Sequence, residues 1–217
     1  MNILNEKFAK LYIISSYNTQ NRLNDLYPFF NQENIDVEIV IGPKKKYIKP
    51  DYTKTNCSEG TQSHISATES IFLKESYLKS ETFCIMEDDV FFDKNYKNKV
   101  DKFFSNLPTD WDVVNLGYHE YTTLNINYGF PTYKIVKGER ITGAHILGYK
   151  HHTVEFIKNV IENCVWPWDW FLNDEVYPHF NTYVPTERIF YASSYRDCDP
   201  IQDFNYPKYK SSVLPDL

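Results

Sequence analysis

Residues 82–89 read Thr82-Phe83-Cys84-Ile85-Met86-Glu87-Asp88-Asp89, an apolar run set directly against three carboxylates. A short, continuous apolar stretch suits a strand buried on both faces, the kind found in parallel sheets. Adjacent like charges at its end repel one another unless solvent or a cation relieves them. In extended backbone, side chains two apart share a face, so Glu87 and Asp89 are expected to converge on one ion while Asp88 points the other way. Hard oxygen ligands select Mg2+ or Mn2+ over Zn2+, and those ions keep positions open for water and substrate phosphates. If the strand is parallel and central, its carboxyl end is where open α/β sheets bind ligands. The competing reading of the same stretch is an acidic, solvated turn.

Outward from this strand, the chain alternates strand and helix patterns. Residues 11–15 (Leu-Tyr-Ile-Ile-Ser) suit a first buried strand. Residues 19–32 place Leu23, Leu26, Phe29 and Phe30 at helical spacing around Pro28, and 37–41 return to strand character before Gly42-Pro43. Ile65, Ile71, Phe72 and Leu78 favour a helix over 63–78. Val100, Phe103, Phe104 and Leu107 favour a short helix stopped by Pro108, and 111–116 a strand closed by Gly117. This order implies an α/β fold with a mostly parallel central sheet flanked by helices. Further on, 133–136, 141–149 and 187–192 read as strands and 152–164 as a helix. The tail after Pro200 is expected to pack loosely or wrap the surface. No linker or internal repeat divides the 217 residues, so one domain is expected.

The net charge of -6 argues against nucleic acid as the main partner, because phosphate binding needs concentrated positive surface. The one basic run, Lys44-Lys45-Lys46 with Lys49, reads as a solvated loop. Residues 1–10 lack the apolar core of a secretory signal, and no apolar stretch approaches the roughly 20 residues of a membrane helix, so a soluble, cytoplasmic chain is expected. Cys57, Cys84, Cys164 and Cys198 are scattered without C-x-x-C spacing, as in reduced intracellular proteins.

A series of landmarks in order resembles glycosyltransferase family 25, the group of lipooligosaccharide and collagen galactosyltransferases. They are Arg22 after the first strand; Ser63-His64; Ile85-Met86-Glu87-Asp88-Asp89-Val90; Leu107-Pro108-Thr109-Asp110-Trp111-Asp112 with Leu116-Gly117; Thr142-Gly143-Ala144-His145; and Pro167-Trp168-Asp169. Gly60 lies four residues before His64, where the family usually spaces its glycine five. The resemblance implies a GT-A fold, with about 1–117 serving the nucleotide sugar and metal, about 118–200 the acceptor, and 201–217 a tail. It implies an inverting hexose transfer from a UDP-sugar, with Mn2+ or Mg2+, to a hydroxyl of a glycan or glycoconjugate.

On that reading, Asp89 and then Glu87 hold the ion, with His145 or His179 as a possible third ligand; a hydrogen-bonded structural histidine is the alternative for each. Asp88 contacts the ribose or a sugar hydroxyl, or caps the next helix. Inversion requires a carboxylate to take the acceptor proton, and Asp169 is the candidate, with Trp168 and Trp170 stripping water from it and offering flat faces to sugar rings. A helix N-terminal Asp among core tryptophans is its alternative. Asp174 and Glu175 stand in reserve. Ser15 and Tyr17 are placed to touch the base, Arg22 to face phosphates or brace the sheet, Ser63 and His64 to approach the donor, and Gly143 to let backbone pass close to the sugar or a neighbouring strand. A sugar-1-phosphate nucleotidyltransferase is the nearest enzymatic rival, although the segment after Ile14 lacks its glycine-rich phosphate loop. A catalytically silent glycan-binding or scaffold protein is the other.

Overall fold

The computed structural model describes residues 1–44, 58–119, 130–136, 139–164 and 166–192. Lys45, Lys46, Lys49, Cys57, Cys198 and the tail lie outside the described residues. The chain opens with α1 (Ile3–Lys7) and β1 (Lys10–Ser15), followed by a single 3-10 turn, Gln20–Arg22, that leads into α2 (Leu23–Glu33) and then β2 (Glu38–Ile41). Next come α3 (Glu59–Leu78), β3 (Thr82–Glu87), β4 (Val90–Phe92), α4 (Tyr96–Ser105) and β5 (Val113–Gly117). The last part holds β6 (Thr132–Lys134), β7 (Ile146–Lys150), α5 (Val154–Ile161), α6 (Trp168–Phe171), β8 (Thr182–Pro185) and β9 (Phe190–Ala192).

Among the described residues one seven-stranded sheet runs in the order β2-β1-β3-β7-β5-β8-β6, and β4 pairs with β9 in a two-stranded ribbon. Strands β1, β2 and β3 are mutually parallel, as are β5 and β8, whereas β7 runs against both of its neighbours and β6 against β8. The sheet is thus the mostly parallel one expected, with helices on both faces.

Period-two alternation divides the core. Tyr12, Ile14, Phe83 and Ile85 face a layer with Ile65, Ile71 and Phe72 of α3 and Ile157 of α5. Leu11, Ile13, Cys84 and Met86 face Leu26 and Phe29 of α2, Val100 and Phe103 of α4, and Leu4 of α1. Burial on both sides is why these strands read as unbroken apolar runs. A buried pair, the Tyr12 hydroxyl donating to Glu75 Oε1 at 2.5 Å, ties α3 to the sheet beneath it.

Several boundaries move. Helix α3 starts at Glu59, where Ser58 caps it by accepting from the Thr61 amide, so Ser63 is interior rather than a cap. The expected strand over 141–149 begins only at Ile146, because 141–145 follow an irregular path in which Gly143 takes φ 84°. Helix α1, of five residues, and strand β4, of three, are too short to show a period.

Candidate functional site

The cleft lies where β1, β3 and β5 end and where reversed β7 begins. It encloses about 330 Å³ and is lined by Ser16, Thr19 and Arg22 after β1, by Glu87, Asp88 and Asp89 after β3, by His119 after β5, and by Gly143, Ala144 and His145 before β7. Ser58, Gly60, Thr61 and His64 of the α3 amino end and Pro167, Trp168 and Asp169 close its sides.

Glu87 is the last residue of β3, and Asp88 and Asp89 form the turn into β4. Glu87 and Asp89 do approach each other, but the turn brings them together rather than alternation along one strand. Register supplies the third group: Met86 pairs with Ile146, and the Glu87 amide donates to the His145 carbonyl at 2.9 Å. Carboxylate oxygens of Glu87 and Asp89 and a ring nitrogen of His145 lie within 4.8 Å of one another.

His145 Nδ1 sits 2.7 Å from Glu87 Oε2, and His64 Nε2 is 3.5 Å from Glu87 Oε1. Burial alone would raise the Glu87 carboxyl, yet the hydrogen bond and charge of His145, with His64 and His119 behind it, hold it well below the usual range. His145 moves the opposite way: burial opposes its charge, and Glu87, Asp89 and Asp169 outweigh burial and raise it. Burial, then the Glu87 charge, pushes Asp89 up to about 6. Three polar atoms find no hydrogen-bond partner among the described residues although buried in this cluster: Asp89 Oδ1, His145 Nε2 and His64 Nε2. An orphaned carboxylate oxygen and an orphaned imidazole nitrogen, side by side, are the donor set a divalent ion takes, and a ring whose other nitrogen meets a carboxylate is the usual setting of a ligating histidine.

Asp88 has a different task. It is buried and accepts from Ser15 Oγ and Thr19 Oγ1, each at 2.5 Å, and from Arg22 at 3.1 Å, so it pins the turn after β1. The same guanidinium reaches Asp89 at 3.6 Å. Ser15, expected at the base, is instead buried with its hydroxyl committed to Asp88. Tyr17 does not line the cleft; its half-exposed ring stands beneath the Lys44 ammonium at 4.1 Å from the centroid. Ser63 packs where a Cβ on Gly42 would meet its carbonyl at 2.2 Å, which puts it behind the cleft wall while His64 lines it.

Asp169 sits in the first turn of α6, partly buried, with Oδ2 accepting from the Gly143 amide and Oδ1 from the Trp170 amide, both at 3.0 Å. Burial, aided by Glu87, raises its carboxyl despite these two donors. The reserve pair lies elsewhere: Asp174 is exposed and paired with Arg140, and Glu175 is exposed, because the helix continues as a π turn, Leu172–Val176, that directs both outward. His179 is also outside the cleft, its exposed ring against Phe156 at 4.8 Å, so it cannot share an ion with Glu87 and Asp89. Trp168 is turned into the core, stacked on Phe171, and Trp170 faces solvent.

His119 carried no role in the sequence reading. Its ring packs edge-on against His145 with centroids 4.5 Å apart, and burial followed by the His145 charge pushes it down to about 4. Nothing local marked it, since its position depends on β5 lying next to β7. Gly143 makes this packing possible: a Cβ there would lie 2.9 Å from His119 Cδ2 and 3.1 Å from His145 Nε2. Gly143→Ala is therefore expected to cost about 2 kcal/mol or more, from left-handed backbone strain plus the clash, as a lower urea midpoint with an unchanged slope.

No protein-family model matches the chain, and no curated protein matches it. Among solved structures, it is similar to a glycosyltransferase involved in the glycosylation of the major capsid of PBCV-1, with 12% identity, 84% of this chain and 92% of that one covered, and a TM-score of 0.48. It is also similar to the inositol-1-phosphate CTP transferase from T. maritima, with 11% identity, 84% and 88% covered, and a TM-score of 0.47. HddC from Yersinia pseudotuberculosis complexed with GMP-PN follows with 19% identity, 83% and 71% covered, and a TM-score of 0.36. Likenesses this loose leave the functional reading to the side chains of the cleft.

Proposed function

We propose that this chain is a metal-dependent, inverting glycosyltransferase of GT-A type that moves a hexose from a UDP-sugar to a hydroxyl of a glycan or glycoconjugate. The observation that carries the reading is the Glu87, Asp89 and His145 cluster, with its two buried, unpartnered donor atoms, at the carboxyl end of the parallel strands. Charge supports it. Among the described lining residues, Glu87, Asp88, Asp89 and Asp169 stand against one Arg or Lys side chain, Arg22, itself engaged with Asp88 and Asp89. A bare diphosphate would be repelled from such a cleft, and a divalent cation reverses the sign.

Glu87, Asp89 and His145 would hold Mn2+ or Mg2+, and the mixed oxygen and nitrogen set favours Mn2+. When bound, the ion supplies Lewis-acid neutralisation of the departing nucleoside diphosphate. Asp88 orients the turn that carries Arg22, and Arg22 adds a fixed positive charge beside the phosphates. His64 and His119 brace Glu87 and His145 from two sides and exclude water from them. Asp169, with its raised carboxyl, takes the proton from the attacking hydroxyl, and the Gly143 and Trp170 amides keep its oxygens in place.

A panel of nucleotide sugars screened by thermal unfolding with and without Mn2+ tests the proposal. At 100 times the dissociation constant, the right donor stabilises by about 2.7 kcal/mol, or roughly 5–10 °C for a domain of this size. A shift with a UDP-sugar that requires Mn2+, and slow UDP release from the same donor, are expected. Pyrophosphate release from a nucleoside triphosphate and a sugar phosphate would move the chain to the nucleotidyltransferases, and no shift with any donor would leave a silent binding protein.

A further inference from the structure

Two indoles stand out of the surface on either side of Asp169. Trp166 and Trp170 keep 49% and 44% of their surfaces exposed and stack on each other, with ring centroids 6.2 Å apart and planes 29° from parallel, so they stand as one aromatic pair at the surface. A lone exposed aromatic is ordinary, but a paired one beside a cleft marks a contact surface. The residues between them, Pro167, Trp168 and Asp169, line the cleft itself. Trp166 and Trp170 are four apart and face outward together, whereas Trp168 packs on Phe171 beneath them at 5.3 Å.

We infer that Trp166 and Trp170 form the platform that seats a neutral pyranose of the acceptor, holding one of its hydroxyls against Asp169. The inference rests on the transferase reading above. A pyranose presents a face of C–H bonds, apolar and slightly positive, which complements the negative face of an indole; its hydroxyls project from the rim toward polar partners. Asp169, which lies between the two indoles in the chain and lines the cleft, would repel the carboxylate of an acidic sugar. The occupant is therefore a neutral hexose unit rather than a uronate or sialate.

Saturation-transfer NMR with methyl β-D-galactopyranoside, methyl β-D-glucopyranoside and methyl β-D-glucuronide, in the presence of UDP and Mn2+, tests the platform. At least one neutral glycoside is expected to receive saturation through its ring C–H protons at millimolar concentration, and the glucuronide none. Trp166→Ala combined with Trp170→Ala should weaken that contact at least 10-fold, and Trp170→Phe in the parent should restore much of what Trp170→Ala loses. Calorimetry should show Mn2+-dependent UDP binding unchanged in these variants, which reports that the fold and the donor half persist. Equal saturation in the double variant, no saturation of either neutral glycoside, or a dimer of the parent that the double substitution dissociates would overturn the assignment. Loss of UDP binding in the parent would instead remove the donor reading while the glycoside result still judges the platform.

Discussion

Asp89→Asn is expected to abolish manganese-dependent UDP binding and, in the same molecule, to make the metal-free protein more stable. The first effect follows from removing one of three converging ligand side chains, a loss of about 100-fold or more in affinity given that supporting partners of a metal site alone are worth 10- to 100-fold. The second follows from the sign of the shift. Asp89 rises from an ordinary 3.8 to about 6, so the folded protein holds that proton more tightly than the unfolded chain does. Its carboxylate therefore costs nothing below pH 4, costs progressively more between pH 4 and 6, and carries its full penalty above. Two pH units correspond to roughly 3 kcal/mol. With 27% of the Asp89 side chain exposed, solvent screens part of that, and about 1–2 kcal/mol is the expected gain. Arg22 keeps Asp88 as its partner, so the substitution strands no charge. Denaturation in a chelator should show the stabilisation at pH 7.5 and almost none at pH 4, while calorimetry shows UDP binding lost. Full retention of metal-dependent UDP affinity would falsify the assignment of the ion.

Asp169→Asn should lower kcat by about 100- to 10,000-fold while leaving UDP affinity intact, the range typical of a positioned general base. The amide can still accept from one of the two backbone donors, but its NH2 group faces the other, so a local cost of about 1 kcal/mol accompanies the change. In the parent, burial raises the Asp169 carboxyl, and activity should climb with pH through that raised value as the carboxylate forms. The variant should lose that limb of the profile. Turnover and profile both unchanged would place the base on another group.

These two carboxylates differ in how they could be found. The run 82–89 discloses itself, because an apolar strand ending in three acids is an electrostatic anomaly visible in one dimension. Asp169 is signalled by the family landmark Pro167-Trp168-Asp169 and by its tryptophan neighbours, and the neighbours mislead by half: the helical turn buries Trp168 and exposes Trp170. Position at the end of the first strand points Ser15 and Tyr17 to the donor, and the family resemblance points Ser63 there. Their hydroxyls and rings are committed to Asp88, to Lys44 and to the Tyr17 amide respectively, contacts no local pattern announces. Asp174, Glu175 and His179 follow the cleft closely in sequence, yet a π turn and a 3-10 turn carry them to the surface.

The amino-acid sequence alone determined the alternation of strand and helix, the parallel, doubly buried character of β1 and β3, and the acidic edge on β3. Each depends on side-chain period and charge over fewer than ten residues, which is the range over which backbone geometry is local. Only the tertiary structure decided that β7 enters between β3 and β5 in the opposite direction. That reversal sets the residue before β7, His145, beside the residue that ends β3, Glu87, and brings His119 and Gly143 against them. Strand order is a choice among long-range pairings whose energies no single segment carries, so of the two histidines the sequence offered as a third ligand, the fold chose His145 over His179.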